Sequence, residues 1–340
     1  MKLKLLIAIL GMVLGSAAMA AAITLPYGPL YFQFSNVEQT ALGVDAAGRP
    51  LNNANTCAGC SHTPEGNWGI AQVSVMRPGA YNPLGATPGQ TGNDVISMGT
   101  APFFSDQLFP VAGGQITAMF HGSVITSITK NGTVNSLQST GGFIDLYWDD
   151  PSLANTIVNI GNLKPNGRTG DASFTGVTDG VFLARLAFSG GINPLSPSTS
   201  NQGTIDTGLV GDSGSADSYA NVADVNGDGV INGLDGLWAG QLNTGWFGTV
   251  FGRRDIRFSN KIANNSDWNG TNGVLGQSSS DPGRGSVPEP ASLALLSLGL
   301  LGLGASRRRA TAARSAKPAL WARLWSAASG HAGRSAPHTA

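Results

Sequence analysis

Residues 115–129 (QITAMFHGSVITSIT) constrain most strongly what this chain can become. Ile116, Ala118 and Phe120 alternate with Gln115, Thr117 and His121, and Val124, Ile125 and Ile128 continue the run. Side chains with a period of two stand on opposite faces of a strand, so one apolar face can be buried. Similar runs occupy 30–34 (LYFQF), 70–76 (IAQVSVM), 143–148 (FIDLYW), 157–160 (IVNI), 181–188 (VFLARLAF) and 205–210. Turn clusters separate them, among them KPNGRTGD at 164–171 and SGGINPLSPSTSNQG at 189–203. No sustained 3.6-residue stripe appears before residue 286, apart from a short turn after Asp150-Pro151. Glycine supplies 48 of 340 residues, about twice the usual share, which suits short strands and many turns. Strands without alternating helices predict an all-β fold, an antiparallel β-sandwich of jelly-roll-like form over residues 21–258. The stretches 48–68 and 77–93 read as long surface loops. Residues 259–286, rich in Asn, Ser and Gly, read as a loop whose end, 276–286, is a flexible tether.

Two apolar segments bracket this body. In residues 1–20, Lys2 and Lys4 precede the apolar run 5–15, and Ala18-Met19-Ala20 forms a small-x-small cleavage site. That order reads as a secretory signal peptide, so the body is expected outside the cytoplasm. Charge is unevenly spread: residues 21–286 carry 11 Lys+Arg against 19 Asp+Glu, while 287–340 carry 7 basic residues and one acid. An acidic body lacks the basic face of a nucleic-acid binder and suits divalent cations, so no nucleic-acid partner is expected.

The second apolar segment follows Pro288, Glu289 and Pro290. Residues 291–305 carry no charge. The stretch 291–306 reads as one C-terminal membrane helix, near the lower length limit for crossing a bilayer. Gly299, Gly302 and Gly304 suit close helix contacts in lipid. Arg307, Arg308 and Arg309 hold the far end on the cytoplasmic side. The whole string VPEPASLALLSLGLLGLGASRRR, 287–309, closely resembles the PEP-CTERM sorting signal of Gram-negative bacteria. That resemblance implies recognition and processing by an exosortase, a membrane-embedded cysteine peptidase. It further implies an inner-membrane-anchored precursor and final residence at the cell surface or in an exopolysaccharide matrix, as in biofilm and floc formation. Pro288, Glu289 and Pro290 are then features of a substrate. The basic tail, 310–340, departs from the pattern, which normally stops soon after the arginines. It reads as disordered, or as an interfacial turn with Trp321, Arg323 and Trp325 at the headgroups.

One motif in the body carries metal chemistry. DVNGDGVINGLD, 224–235, places Asp224, Asn226, Asp228, Asn232 and Asp235 at loop positions 1, 3, 5, 9 and 12. Gly229 stands at the sharp turn and Val230 would offer its carbonyl. This is EF-hand calcium-loop spacing with Asp in place of the final Glu, and hard oxygen ligands at alternate positions wrap one Ca2+. A plain Asp/Gly surface turn is the competing reading. The loop also resembles half of a dockerin repeat. Its only candidate partner, DWNGTNG from Asp267, lacks the later ligands, and Gly236, Gly240 and Gly245 break the following helix. A paired dockerin is therefore not expected.

Other constellations point less far. Cys57 and Cys60 are the only cysteines, and an exported chain oxidises them, so a local disulfide is expected. Ser61 stands before His62 where a c-type haem would need His directly, and zinc or redox chemistry would need more ligands or a helix N-terminus. GDSGSA, 211–216, is similar to the nucleophile region of chymotrypsin-like proteases, with His121 and Asp145 upstream of Ser213, but the context of the histidine is missing. Asp145, Asp149 and Asp150 beside Tyr147 and Trp148 read as acids at a strand end, next to aromatics able to stack on sugars. The expected function is a non-catalytic, exported surface or matrix protein with a structural calcium site. The alternative is a carbohydrate-binding module or glycoside hydrolase on the same scaffold.

Overall fold

The computed structural model describes residues 24–61, 63–81, 95–97, 102, 104–105, 114–150, 157–209 and 212–288. The signal segment 1–20, His62, most of 77–93, Val210, Gly211, the membrane stretch 291–306 and the tail 310–340 lie outside them.

Over the described residues the chain is all-β with short helical turns. β1 (Gly28–Ala41) and β2 (Asn67–Tyr81) extend the runs at 30–34 and 70–76. β3 (Val95–Ser97) and β4 (Phe104–Ser105) are short and pair with β2. β5 (Gln115–Asn131), β6 (Val134–Thr140) and β7 (Phe143–Asp149) are joined by tight turns. β8 (Arg168–Gly170) and β9 (Ser173–Phe174) make a small hairpin. β10 (Val181–Ser189), β11 (Asn201–Asp206) and β12 (Asp212–Val222) follow. A second hairpin, β13 (Phe247–Thr249) and β14 (Gly252–Arg254), precedes β15 (Ile256–Asn264) and β16 (Val274–Val287). The run at 157–160 does not form a strand. Its end begins a 3-10 turn, Ile160–Asn162, because Asn159 caps that turn by accepting from the Gly161 N–H.

The ladders form one circuit where the sequence predicts a sandwich of two sheets. β1 pairs with β16 and β2, β2 with β5, β5 with β6 and β7, β6 with β11, and β7 with β10. β10 and β11 both pair with β12, which pairs with β15, and β15 returns to β16. Every one of these pairings is antiparallel, and the path ends where it began. The result is a closed barrel, which leaves no free edge along its main wall. One part of the wall forks. β5 pairs with β7 as far as His121 and with β6 from Val124, and β12 passes from β11 to β10 between Ser218 and Tyr219.

The predicted tether is wrong, because 276–286 lie inside β16. All fourteen of its residues pair with β1, from Gly28↔Val287 to Ala41↔Val274. Low strand propensity is overridden by pairing on both sides. Gly283 lies opposite Phe32, and a Cβ there would collide with the ring. The small residues of β16 thus leave room for Phe32, Phe34 and Phe258, whose centroids are 5.2 to 6.4 Å apart.

Two cores hold the wall. Inside, Leu30, Phe32, Trp148, Leu183 and Ile256 fill the end from which Gly28 and Val287 emerge. A one-turn helix, α1 (Ala239–Leu242), closes that end with Leu242, beside Trp238. Outside β1, β2 and β5, a second layer gathers Trp68, Phe174 and Trp268, with Trp68 and Trp268 5.6 Å apart. Arg168 lies 4.4 Å over the Trp68 ring and forms a buried pair with Glu65 at 2.6 Å. Glu65 also accepts from the Gly122 N–H, so the charges are hydrogen-bonded as well as paired.

Two other buried carboxyls lack such partners. Glu38 faces the barrel interior, where burial outweighs a hydrogen bond from Asn67 and pushes it up to about 7. Asp149 is pushed up to about 7 by burial, against a hydrogen bond from Thr117 and with Asp179 adding to the rise. A carboxyl raised in the folded state binds more protons folded than unfolded, so its contribution is present below about pH 4 and lost as pH rises to about 7. We therefore expect unfolding free energy in urea titrations to fall over this window. The double variant Glu38→Gln, Asp149→Asn should flatten that slope, and an unchanged slope would refute the assignment.

Candidate functional site

The loop 224–235 leaves β12 at the end of the barrel where both ends of the body emerge. Its shape comes from carboxylates and amides that accept backbone N–H groups. Asp224 accepts from Gly227 and Gly229, each at 2.7 Å. Asn226 accepts from Asp228 at 2.9 Å, and Asp228 from Val230 at 2.8 Å. Asp235 is buried and accepts from Val225, Asn226 and Asn232 at 2.8 to 3.0 Å. The amides of Asn226 and Asn232 hold its carboxyl below the usual range, with burial opposing. Asn232 caps the 3-10 turn Gly233–Asp235 in a reciprocal capping box with Asp235. Gly227 and Gly229 take φ of 75° and 83°, which glycine adopts without a Cβ penalty.

These donors suit a hard cation in type and order. Each carboxylate oxygen that accepts one N–H keeps a second lone pair. The carbonyl of Val230 is partly engaged, since it accepts from Asn232 Nδ2 at 2.9 Å. Among the described residues no three His, Cys, Asp or Glu side chains form a metal-holding group, so any site here uses the mixed set of Asp, Asn and carbonyl oxygens.

Cys57 and Cys60 are joined by a disulfide, with Cα atoms 5.3 Å apart, in the long connection between β1 and β2. Asp171 clamps this loop to the β8–β9 hairpin by accepting from the Ser61 N–H at 2.9 Å and from Asn55 at 3.2 Å. Burial of Asp171 opposes its charge, but the bonds from Ser61 and Asn55 outweigh it and hold its pKa down.

The acids near β7 are tied into the fold. Asp145 is fully buried, takes both Arg185 Nε at 2.6 Å and Nη2 at 2.7 Å, and meets His121 Nε2 at 3.2 Å. Burial opposes its charge, yet Arg185 and then His121 hold its pKa below the usual range. Asp149 is buried against Thr117, 3.0 Å away. Trp148, expected as a surface platform, points into the core 6.4 Å from Phe104. Ser213 bonds to Asn264 at 3.1 Å, and no hydrogen bond joins it to His121 among the described residues.

A cavity of about 110 Å³ inside the barrel was not foreseen. Its polar groups include Asn36, Glu38 and Thr40 at alternate positions of β1, an inward polar face that reads in isolation as a solvent face.

At the other end of the body, β16 ends at Val287 and exposed Pro288 follows at once, so the chain leaves the barrel at the first letter of Pro288-Glu289-Pro290. Glu289, Pro290, Arg307, Arg308 and Arg309 lie outside the described residues. No helix among the described residues is long and apolar enough to cross a membrane. Searches of curated proteins and of solved structures found no match to the chain. Residues 286–309 match the PEP-CTERM protein-sorting motif, so the chain carries the recognition signal of an exosortase and is an exported, exosortase-processed protein.

Proposed function

We propose that the body is a non-catalytic protein of the cell surface or exopolysaccharide matrix, delivered by its sorting tail and stiffened by one calcium ion. The carrying observation is the sorting motif at 286–309, directly after the last strand. Pro288, Glu289 and Pro290 are the marker, the stretch 291–306 is the temporary membrane anchor, and Arg307, Arg308 and Arg309 are the cytoplasmic stop. A non-catalytic role is supported by the acids at β7. Asp145 is neutralised by Arg185, and Asp149 sits buried against the backbone of Gly180, so neither is poised as an acid or base towards an open cleft.

Calcium would be held by Asp224, Asn226, Asp228, Asn232, Asp235 and the Val230 carbonyl. Its charge would offset part of the charge of the three carboxylates that this short loop carries. The exposed apolar side chains Val225, Val230 and Leu234 show that this loop has little core of its own to order it. Extracellular modules of this kind bind at about 10⁻⁴ to 10⁻³ M, which suits the ambient ion.

Two outcomes are expected. In a host with an exosortase, the mature protein should lack the chain beyond the Pro288-Glu289-Pro290 region by intact mass, and Glu289→Ala should leave the precursor uncleaved. An intact C-terminus in that host would contradict the sorting role. Chelation by EDTA should lower the melting temperature by about 2–4 °C for each kcal/mol of binding free energy lost. Asp228→Ala should remove that difference, and no EDTA effect on the wild type would end the calcium reading.

A further inference from the structure

Strand register sets five side chains in one line across the outer wall. Tyr219 of β12 stands opposite Arg257 of β15, and Arg257 stands opposite Arg284 of β16. Arg284 stands opposite Tyr31 of β1, and Tyr31 opposite Arg77 of β2. Residues paired in this way share a face of the sheet. Their chain neighbours Ala220, Phe258, Phe32 and Met76 belong to the inner core, so the line faces outward. Five strands at 4.7–4.9 Å each make it about 19 Å from end to end.

The line is graded in access. Arg257 is buried, with its guanidinium 5.9 Å from the Tyr219 ring and 3.9 Å from Asp217. The β13–β14 hairpin walls that end, with Phe247 6.1 Å from Tyr219. Arg284, Tyr31 and Arg77 are half-buried and reach solvent. Four residues further along the strands, five on β2, lies a second line of Ser215, Lys261, Ser280, Ser35 and Gln72. Among the described residues this face therefore carries Arg77, Arg257, Lys261 and Arg284 against one acid, Asp217, on a body that is acidic as a whole. Charge so segregated gives a local positive field.

We propose that this face binds an acidic polysaccharide, a chain of uronate sugars laid across the strands. A polyuronate advances roughly 4–5 Å per sugar, close to the strand spacing of about 4.8 Å. Successive sugars then meet Arg257, Arg284, Tyr31 and Arg77 in turn. A guanidinium takes a carboxylate through two parallel N–H···O bonds, and the Tyr31 ring offers a flat surface to the C–H face of a sugar. Like charges directly opposite each other destabilise a sheet, and carboxylates set along Arg257 and Arg284 offset that cost. The hydroxyls and amide of the second line suit the sugar hydroxyls. None of the large apolar side chains exposed among the described residues lies on this face, which a lipid surface would need. The inference deepens the surface and matrix role proposed above and rests on it for the place where the ligand is met. Binding by the isolated mature protein is read separately from cleavage of the tail.

The test is calorimetric titration of the mature exported protein with a hexamer of galacturonate, in EDTA so that calcium bridges nothing. Maltohexaose serves as the neutral control and phosphatidylglycerol vesicles as the lipid control. At about 0.1 M salt the Debye length is about 10 Å, so a ligand here feels the arginines more than the acids across the barrel. We expect hexagalacturonate to bind under these conditions and to weaken at least about tenfold in about 1 M salt, where that length falls to about 3 Å. The double variant Arg77→Gln, Arg284→Gln should weaken binding at least about tenfold. If that variant does not fold, Lys261→Glu at an exposed position decides, with an expected loss of at least about threefold. No binding at about 1 mM hexagalacturonate overturns the proposal. Equal binding of maltohexaose, indifference to salt, or unchanged affinity in the folded variants also overturns it. So does binding of the vesicles in place of hexagalacturonate.

Discussion

Everything in the body depends on the pairing of its first strand with its last. β1 and β16 lie side by side for fourteen residues, although Leu30 and its partner Gly285 stand at opposite ends of the sequence. Without that ladder the barrel has two long edges, and exposed edges invite pairing with other chains. With it, the wall closes. The loop-closure entropy for such distant partners is met only once the whole body is present, so completion of the fold waits for β16. β16 stops at Val287, so in the sequence Pro288-Glu289-Pro290 follows the last strand directly. The same pairing brings Gly28 beside Val287, so both ends of the body, and the loop 224–235, share one end of the barrel.

Closure also explains the unusual interior. A ring of many strands encloses more space than aromatic side chains fill, and here the surplus lies between the phenylalanine layer and the small aliphatic floor. Nature commonly fills such space with larger apolar side chains. This chain fills the rim with Asn36, Glu38, Asn67 and Gln277 and leaves some of their hydrogen bonds unmet. Elsewhere two buried carboxylates are answered by arginines, Glu65 by Arg168 and Asp145 by Arg185. The contrast sets the cavity apart from the structural ion pairs.

Much of the wall was legible in the letters. β5, β7 and β10 carry enough apolar alternation to declare themselves, and their turns carry the expected glycines. β6, β12 and β16 did not, and β11 only at its end, because Ser, Asn, Gln and Gly, the same residues that make turns, interrupt their inward faces. The segment 259–286 is the clearest case: its composition is that of a tether, and only the neighbours Phe32, Phe34 and Phe258 turn it into a strand. Trp148 and Asp149 misled in the other direction. Their exposure depends on what covers β7, which no local pattern reports.

By itself the sequence determined the all-β class, the spacing of the loop 224–235, the proximity of Cys57 to Cys60 and the sorting motif at 286–309. These are local properties, carried by side-chain periodicity and by residues a few positions apart. Only the tertiary structure decided that one ladder closes, that the last strand fills the place read as a tether, and that a polar belt faces inward. Those outcomes rest on partners more than two hundred residues apart, where the gain from pairing and from packing beneath aromatic rings exceeds any local preference.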